Sequence, residues 1–526
     1  MLNHLVHRTL RAVRSAGVLL SALSGSACVV GPDFDQPAPP AVESLVPGQL
    51  KSPGSAGGET QTFQVGRDIP GDWWRLFRSE PLNALVDRAL QDNFDLKAAE
   101  AALRIAQANV EAQRGFFFPL AVGNFAAMRQ KVSTDPLVPS TATGTPYYTT
   151  YTAQLTISYV PDVFGGIRRQ VEALGATAEV QRFQLEAVQL TLTTNIALAA
   201  IQEAALRGQI AVTEEIIGIA KSVLDLQKKK FGFGQVGAID VATQEAALAQ
   251  VEQTLPPLEK QLAVQRDLMT ALAGHLPGEG LPVQFDFETL KLPEELPVSM
   301  PSDLVRQRPD VRAAEANMHA ASASIGVAIA NRLPQINLMG NGGTTSSKLR
   351  DVLNFSRRFS FWTIAENTSQ VLFDGFTLEQ KQRAAEAGLD QADAQYRSAV
   401  IMGFQNVADA LQALDYDART LRAAVIGERA ASKSLKLVQA QLRLGQVGAL
   451  EVLNAQQTYH QARLAVVQAK ALRYADTVAL FQSLGGGWWN RSDVPAEPVA
   501  QPWWPFDIHR AATDLETSSV AASVAQ

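Results

Sequence analysis

Chemistry needs reactive side chains at workable spacings, and this chain of 526 residues offers few of them. Its six histidines, His4, His7, His275, His319, His460 and His509, fall singly, with no His-Glu-x-x-His or comparable ligand pair, so they make no metal centre. Gly232, Gly234 and Gly237 spell G-x-G-x-x-G, a phosphate cradle only when it follows a β-strand and opens a helix. Here Lys228, Lys229 and Lys230 close a long helical stretch just before it, and a second copy of the surrounding sequence has Arg443 in place of Gly232. The lysine run reads as a solvated hairpin base or as a meeting point for a partner's acids. No G-x-S-x-G elbow or Walker loop occurs, and the one thiol is Cys28. Neither an enzyme nor a bound cofactor is expected.

Cys28 owes its interest to its position. Ahead of it, His4, Arg8, Arg11 and Arg14 give way to an apolar run from Ala16 to Leu23 and then to the small residues Ser24, Gly25, Ser26 and Ala27. That order is a secretory signal over residues 1–27. A cysteine directly after it resembles the bacterial lipoprotein arrangement, which implies acylation of Cys28 and cleavage after Ala27. The covalent lipid on Cys28 is then the one non-protein group expected. The leucine usual three residues before the cysteine is here Gly25, with Leu23 nearest. Val29 is not the aspartate that holds lipoproteins in the inner membrane, so outer-membrane sorting is implied. Composition permits an oxidising compartment without demanding one, and it adds exclusions. A net charge of −6 with 19% charged residues leaves no basic footprint for nucleic acid, and one cysteine cannot make an internal disulfide. No later window supplies the ~20 apolar residues of a membrane-spanning helix, so any crossing falls to β-strands.

Residues 28–70 read as a lipidated tether, rich in Pro, Gly, Ser and Gln from residue 35 onward, with the folded body beginning near Trp73. From there to Trp488 the chain is written twice, over about 71–300 and 301–489. Asp95-Leu96-Lys97-Ala98-Ala99-Glu100-Ala101 returns as Asp310-Val311-Arg312-Ala313-Ala314-Glu315-Ala316, and Phe164-Gly165-Gly166 as Phe373-Asp374-Gly375. Gly234-Gln235-Val236-Gly237-Ala238 returns unchanged as Gly445-Gln446-Val447-Gly448-Ala449. Each copy reads helix, strand, loop, strand, long helix, hairpin turn, long helix. Phe404, Val407, Leu411, Leu414, Ala418, Leu421 and Val425 alternate spacings of three and four, the seam of a coiled coil, which Leu435, Val438 and Leu442 resume. The helix from about Gly166 to Phe231 would be roughly 100 Å long.

The clearest strand is Tyr151 to Tyr159, where Tyr151, Ala153, Leu155, Ile157 and Tyr159 alternate with Thr152, Gln154, Thr156 and Ser158, as in a membrane barrel. Pro119 to Met128, Pro334 to Gly340 and about Phe359 to Phe373 complete a set of four. Four strands cannot close a barrel, and an open edge in lipid leaves unpaired backbone groups. The chain must therefore oligomerise, and three copies would supply twelve strands.

These features together resemble the outer-membrane efflux protein family, in its NodT-type lipoprotein branch. The resemblance spans about residues 28–489 and is carried by Cys28 with Gly31-Pro32-Asp33-Phe34, Trp73-Trp74, Asn93 to Ala101, the two Gly-Gln-Val-Gly-Ala turns and Leu484-Gly485-Gly486-Gly487-Trp488. It implies a mainly α fold with a membrane β-barrel: a TolC-like homotrimer whose twelve-stranded barrel, four strands per chain, continues as a coiled-coil tunnel through the periplasm. The implied function is the outer-membrane exit duct of a tripartite efflux pump, working with a periplasmic adaptor and an inner-membrane pump of the RND type. The resemblance places both repeated turns at the periplasmic tip, where the adaptor docks; paired glycines for chain reversal alone would account for them equally well. It places a gate just beyond them, at Asp240 in the first copy and at Leu450, Glu451 and Asn454 in the second. Asn454 stands where an aspartate is common, so one carboxylate ring is missing, and a solvated helix charge is the plainer reading of Glu451.

Two other readings use the same helices. A non-conducting periplasmic adaptor would need the heptads but not strands such as Tyr151 to Tyr159. A protein-secretion duct would need both. Residues 490–526, poor in apolar side chains toward the end, read as a disordered tail.

Overall fold

A computed structural model describes residues 29–40, 44–46, 51–131, 147–354, 356 and 358–492. The signal segment, Cys28 and the tail from residue 493 lie outside the described residues. The duplication shapes the molecule. In the first repeat, α1 (Glu80–Asp92) and α2 (Phe94–Arg114) lead into β3 (Leu120–Lys131) and β4 (Tyr147–Tyr159), then into α3 (Gly166–Gly232). After a tight turn the chain returns through α4 (Ala238–Glu252) and α5 (Leu255–Leu272). The second repeat follows with α6 (Pro301–Gln307), α7 (Pro309–Ala330), β6 (Gln335–Ser346), β7 (Ser360–Ser369), α8 (Thr377–Arg443) and α9 (Ala449–Ser483). Helices α3 and α8 are both 67 residues long, about 100 Å each.

The four long strands form one antiparallel sheet in the order β3-β4-β6-β7. Side chains in register share a face, and the rows run across all four strands. Ala121, Ile157, Gly340 and Ile364 make one row, and Gly123, Leu155, Gly342 and Trp362 the next. The opposite face carries Val122, Thr156, Asn341 and Thr363 in one row and Asn124, Gln154, Gly343 and Phe361 in another. The alternation in Tyr151–Tyr159 thus extends over the sheet as one apolar and one mainly polar face. Leu155, Trp362 and Ile364 stand exposed on the apolar face, Trp362 beside the bare backbone of Gly342. The strand expected to reach Phe373 ends at Ser369, and the one expected to end at Gly340 runs on to Ser346.

Halfway along the helices a compact belt surrounds the hairpins. Its core joins Trp73, Phe77, Leu82 and Val86 to Ile196 and Ala200 of α3, Leu411 and Leu414 of α8, and Tyr474, Val478 and Phe481 of α9. The heptad positions behave as their spacing requires: Val407, Leu411, Leu414, Ala418 and Leu421 are buried, and Phe404 and Val425 partly so.

Two expectations are corrected. The body begins before Trp73, because β1 (Gly54–Ala56) and β2 (Glu59–Val65) form a hairpin inside the presumed tether, and β2 pairs in parallel with β5 (Glu295–Val298). Its two-residue turn, Gly57-Gly58, has both φ angles positive (61° and 90°), as this tight connection demands. The returning helix of the first repeat is not continuous: α4 stops at Glu252 and α5 starts at Leu255. Pro256 and Pro257 lack the N–H that a continuous helix would use, and proline disfavours helical backbone before it. The corresponding stretch of α9 has no proline and runs unbroken for 35 residues.

Candidate functional site

The two Gly-Gln-Val-Gly-Ala turns adopt one geometry. At the end of α3 the Gln235 amide donates to the Lys230 carbonyl (2.9 Å) and the Gly234 amide to the Phe231 carbonyl (2.8 Å). At the end of α8 Gln446 donates to Gln441 (2.9 Å) and Gly445 to Leu442 (3.1 Å). This is the Schellman closure of a helix, and it needs a left-handed residue, supplied by Gly234 (φ 71°) and Gly445 (φ 73°). Gly237 and Gly448 then take extended backbone and start α4 and α9. Val447 tucks against Val223, Leu442 and Val452, and Ala449 is buried, whereas Val236 is only half-buried and Gln235, Ala238 and Gln446 are exposed.

The four residues assigned to the gate follow directly. Asp240 occupies the third position of α4 and its Oδ2 accepts the Gly237 amide at 3.0 Å, a helix-capping contact. Glu451 holds the same position in α9, its Oε2 3.1 Å from where a Cβ on Gly448 would lie. Both carboxylates therefore sit at helix N-termini, where the backbone dipoles favour negative charge. Leu450 is 61% exposed and Asn454 is exposed, its backbone carbonyl accepting from the Thr458 hydroxyl at 2.8 Å. With Phe231, Phe233, Ile239 and Leu444 also exposed, the tips present an apolar rim interrupted by the two acids.

Cross-links between the two hairpins were invisible in the sequence. Lys230 Nζ donates to the Leu442 carbonyl at 2.7 Å, tying one tip to the other, while Lys228 pairs with Glu245 at 2.8 Å within the first hairpin. Farther up, the Tyr459 hydroxyl of α9 donates to Glu215 Oε1 of α3 at 2.9 Å, and Arg463 lies 3.3 Å from Glu215 Oε2. Burial, and then the Glu215 carboxylate, push the Tyr459 phenol up from its ordinary value, so it remains a neutral donor. These partners are far apart in sequence, and only the lysine run gave a prior signal. Among the described residues no group of three or more His, Cys, Asp or Glu side chains is placed to hold a metal, and no helix is long and apolar enough to cross a membrane.

The model of the outer membrane efflux protein family matches residues 85–275 and 300–486, one segment in each repeat. The chain belongs to that family. Among curated relatives, the pyoverdine export outer membrane protein OpmQ of Pseudomonas putida is 29% identical over 452 residues, covering 84% of this chain and 93% of OpmQ. The outer membrane protein OprJ of Pseudomonas aeruginosa is 27% identical over 476 residues, covering 89% and 95%. Among solved structures, the outer-membrane channel OprN superposes with a TM-score of 0.78 at 26% identity, covering 88% of this chain and all of OprN. As a member of this family the chain is an outer-membrane efflux channel with a TolC-like fold, as the resemblance implied.

Proposed function

We propose that three copies close edge to edge into a twelve-stranded barrel and that the ring of helices beneath it is a passive exit duct for small molecules. The observation that carries this reading is the four-stranded sheet, apolar on one face, that runs straight into two 100 Å helices. Its outer strands β3 and β7 each leave one side without a partner among the described residues, and in lipid such edges must be satisfied by another copy. The repeat supports a head-to-tail ring. Helix α3 packs on both α2 and α7, whereas its counterpart α8 packs on α7 and has no comparable packing on α2. The apolar side chains Ile401 and Met402 of α8 and Phe94 and Ile105 of α2 are exposed, and a neighbour's α2 against α8 would restore the first repeat's arrangement.

In this reading Asp240, Leu450, Glu451 and Asn454 approach the axis at the tip. The turns Gly234–Ala238 and Gly445–Ala449, with their apolar rim, meet a periplasmic adaptor that links the duct to an inner-membrane pump of the RND type. Small-molecule cargo rests on likeness to a relative named for pyoverdine export. Cys28 carries the lipid, and no catalytic role is assigned. The mass of the purified protein in detergent tests the ring: a trimer is expected, and a monodisperse monomer would refute it.

A further inference from the structure

The segment that follows Cys28 is seated with more care than a leash requires. Arg169 of α3, only 4% exposed, gives Nε to the Val30 carbonyl (3.1 Å) and Nη2 to the Gly31 carbonyl (3.2 Å) and to Asp33 Oδ1 (2.7 Å). Its Nη1 holds Glu172 at 2.8 Å, and Glu172 in turn holds His319 of α7 at 3.0 Å. The hydrogen bond from His319 does most to keep the Glu172 carboxyl below its ordinary range, against burial and with help from Arg169. Phe34 stacks on the His319 ring at 4.5 Å, and the Val30 amide donates to the Phe164 carbonyl (3.2 Å) in the link from β4 to α3.

Glycines clear the path. A Cβ on Gly31 (φ 95°) would lie 2.4 Å from Gly326 Cα, one on Gly326 would lie 2.8 Å from the Val30 carbonyl oxygen, and one on Gly165 would lie 2.9 Å from Val29. The segment therefore bridges α3 of the first repeat and α7 of the second just below the sheet. The duplication did not dictate this seat. Counted from the helix starts Gly166 and Thr377, Arg169 and Glu172 match Gln380 and Arg383 of α8, and counted from the Asp95/Asp310 match His319 and Gly326 match Arg104 and Glu111 of α2. Among the described residues, only the seam between α3 and α7 carries these side chains.

We propose that residues 29–34 are a strut: docking of Val29-Val30-Gly31-Pro32-Asp33-Phe34 between α3 and α7 locks the two repeats at the foot of the barrel, and this docking, not the lipid, makes the sheet competent to assemble. Withdrawn, the strut would take away three of the four acceptors that hold the Arg169 guanidinium and would open a cleft beside the bare backbones of Gly165 and Gly326.

The proposal separates two variants of the full chain, whose assembly is read as the fraction of heat-resistant oligomer in outer-membrane extracts. Arg169→Leu is expected to lower that fraction at least about tenfold, the ratio equivalent to 1.4 kcal/mol, while palmitate labelling persists. Gly31→Val, which cannot occupy the seat, is expected to do the same. Cys28→Ser, which keeps the strut, is expected to lose any palmitate label and to retain most of the oligomer. A peptide spanning residues 29–35, added during refolding of a chain lacking them, is expected to restore assembly, and its Asp33→Ala form to fail. Normal oligomer in both Arg169→Leu and Gly31→Val, or loss of oligomer in Cys28→Ser with a folded strut, would overturn the proposal. Labelling itself reports separately on lipidation, so failure of the Cys28 assignment leaves the strut testable.

Discussion

If opening of the tip requires the two hairpins of one copy to part, the bond between Tyr459 and Glu215 resists it, and Tyr459→Phe removes that bond with almost no change in shape. The hydroxyl is 2.9 Å from a carboxylate oxygen and Tyr459 is 8% exposed, so the bond belongs to the charge-assisted class worth about 1.5–3 kcal/mol. Glu215 is 41% exposed and keeps Arg463 at 3.3 Å, which argues for the lower end of that range. A loss of about 1.4 kcal/mol shifts an equilibrium tenfold, so each copy's closed-to-open balance should move by about that factor. The assay is open probability in single-channel recordings at fixed voltage, repeated for Glu215→Leu, which leaves no acceptor, and the double variant. Both single variants should open more often, and the double variant should add little, because the two changes remove the same bond. Unchanged open probability in all three, with thermal stability lowered, would show that the hairpins do not part at this level and would refute the reasoning.

Other expectations follow from the same geometry. Leu155→Arg places a charge in the apolar row beside Gly342 and Trp362 and should weaken assembly by about 2–4 kcal/mol near the bilayer midplane, while Thr156→Arg on the polar face should be tolerated; oligomer yield measures both. Leu450→Ala with Glu451→Ala should raise conductance and weaken cation preference, and Asn454→Asp should strengthen that preference, in recordings at low salt. Asp417 of α8 faces Asp476 and Arg473 of α9, and burial, then Asp476, push its carboxyl up to about 7. A raised carboxyl value means stability present below the unfolded value near 4 and lost as pH rises through 7. Between pH 5 and pH 8, relative to Asp417→Asn, the wild type should therefore lose roughly 1–2 kcal/mol after discounting for partial exposure, read from thermal midpoints.

What the sequence disclosed depended on whether a feature repeats or is local. The strand at Tyr151 to Tyr159 was legible because period-two alternation is a property of neighbouring residues, and the helices because Val407 to Leu421 keep a seam. The turns were legible because they occur twice. The β1–β2 hairpin was missed although its signal was present: Gly57-Gly58 lies between short alternating stretches, but in a region rich in turn-forming residues that reads as linker. The break between α4 and α5 was likewise written in Pro256-Pro257 and obscured by the strength of the repeat. The bond from Tyr459 to Glu215 and the seat of Arg169 could not have been read at all. Each joins residues more than a hundred positions apart, and neither side chain differs in type from an ordinary helix surface residue. Asp240 and Glu451, placed at the gate by the family resemblance, each serve their own helix terminus in the structure, which a charge on a helix surface does not reveal from sequence.

The most direct test of the central claim is conductance across a planar lipid bilayer containing the purified oligomer, at several salt concentrations. A continuous duct should give discrete, stepwise channels whose conductance rises with salt and whose open probability increases in the tip variants. A folded, membrane-inserted oligomer that passes no current in either wild type or tip variants would contradict it.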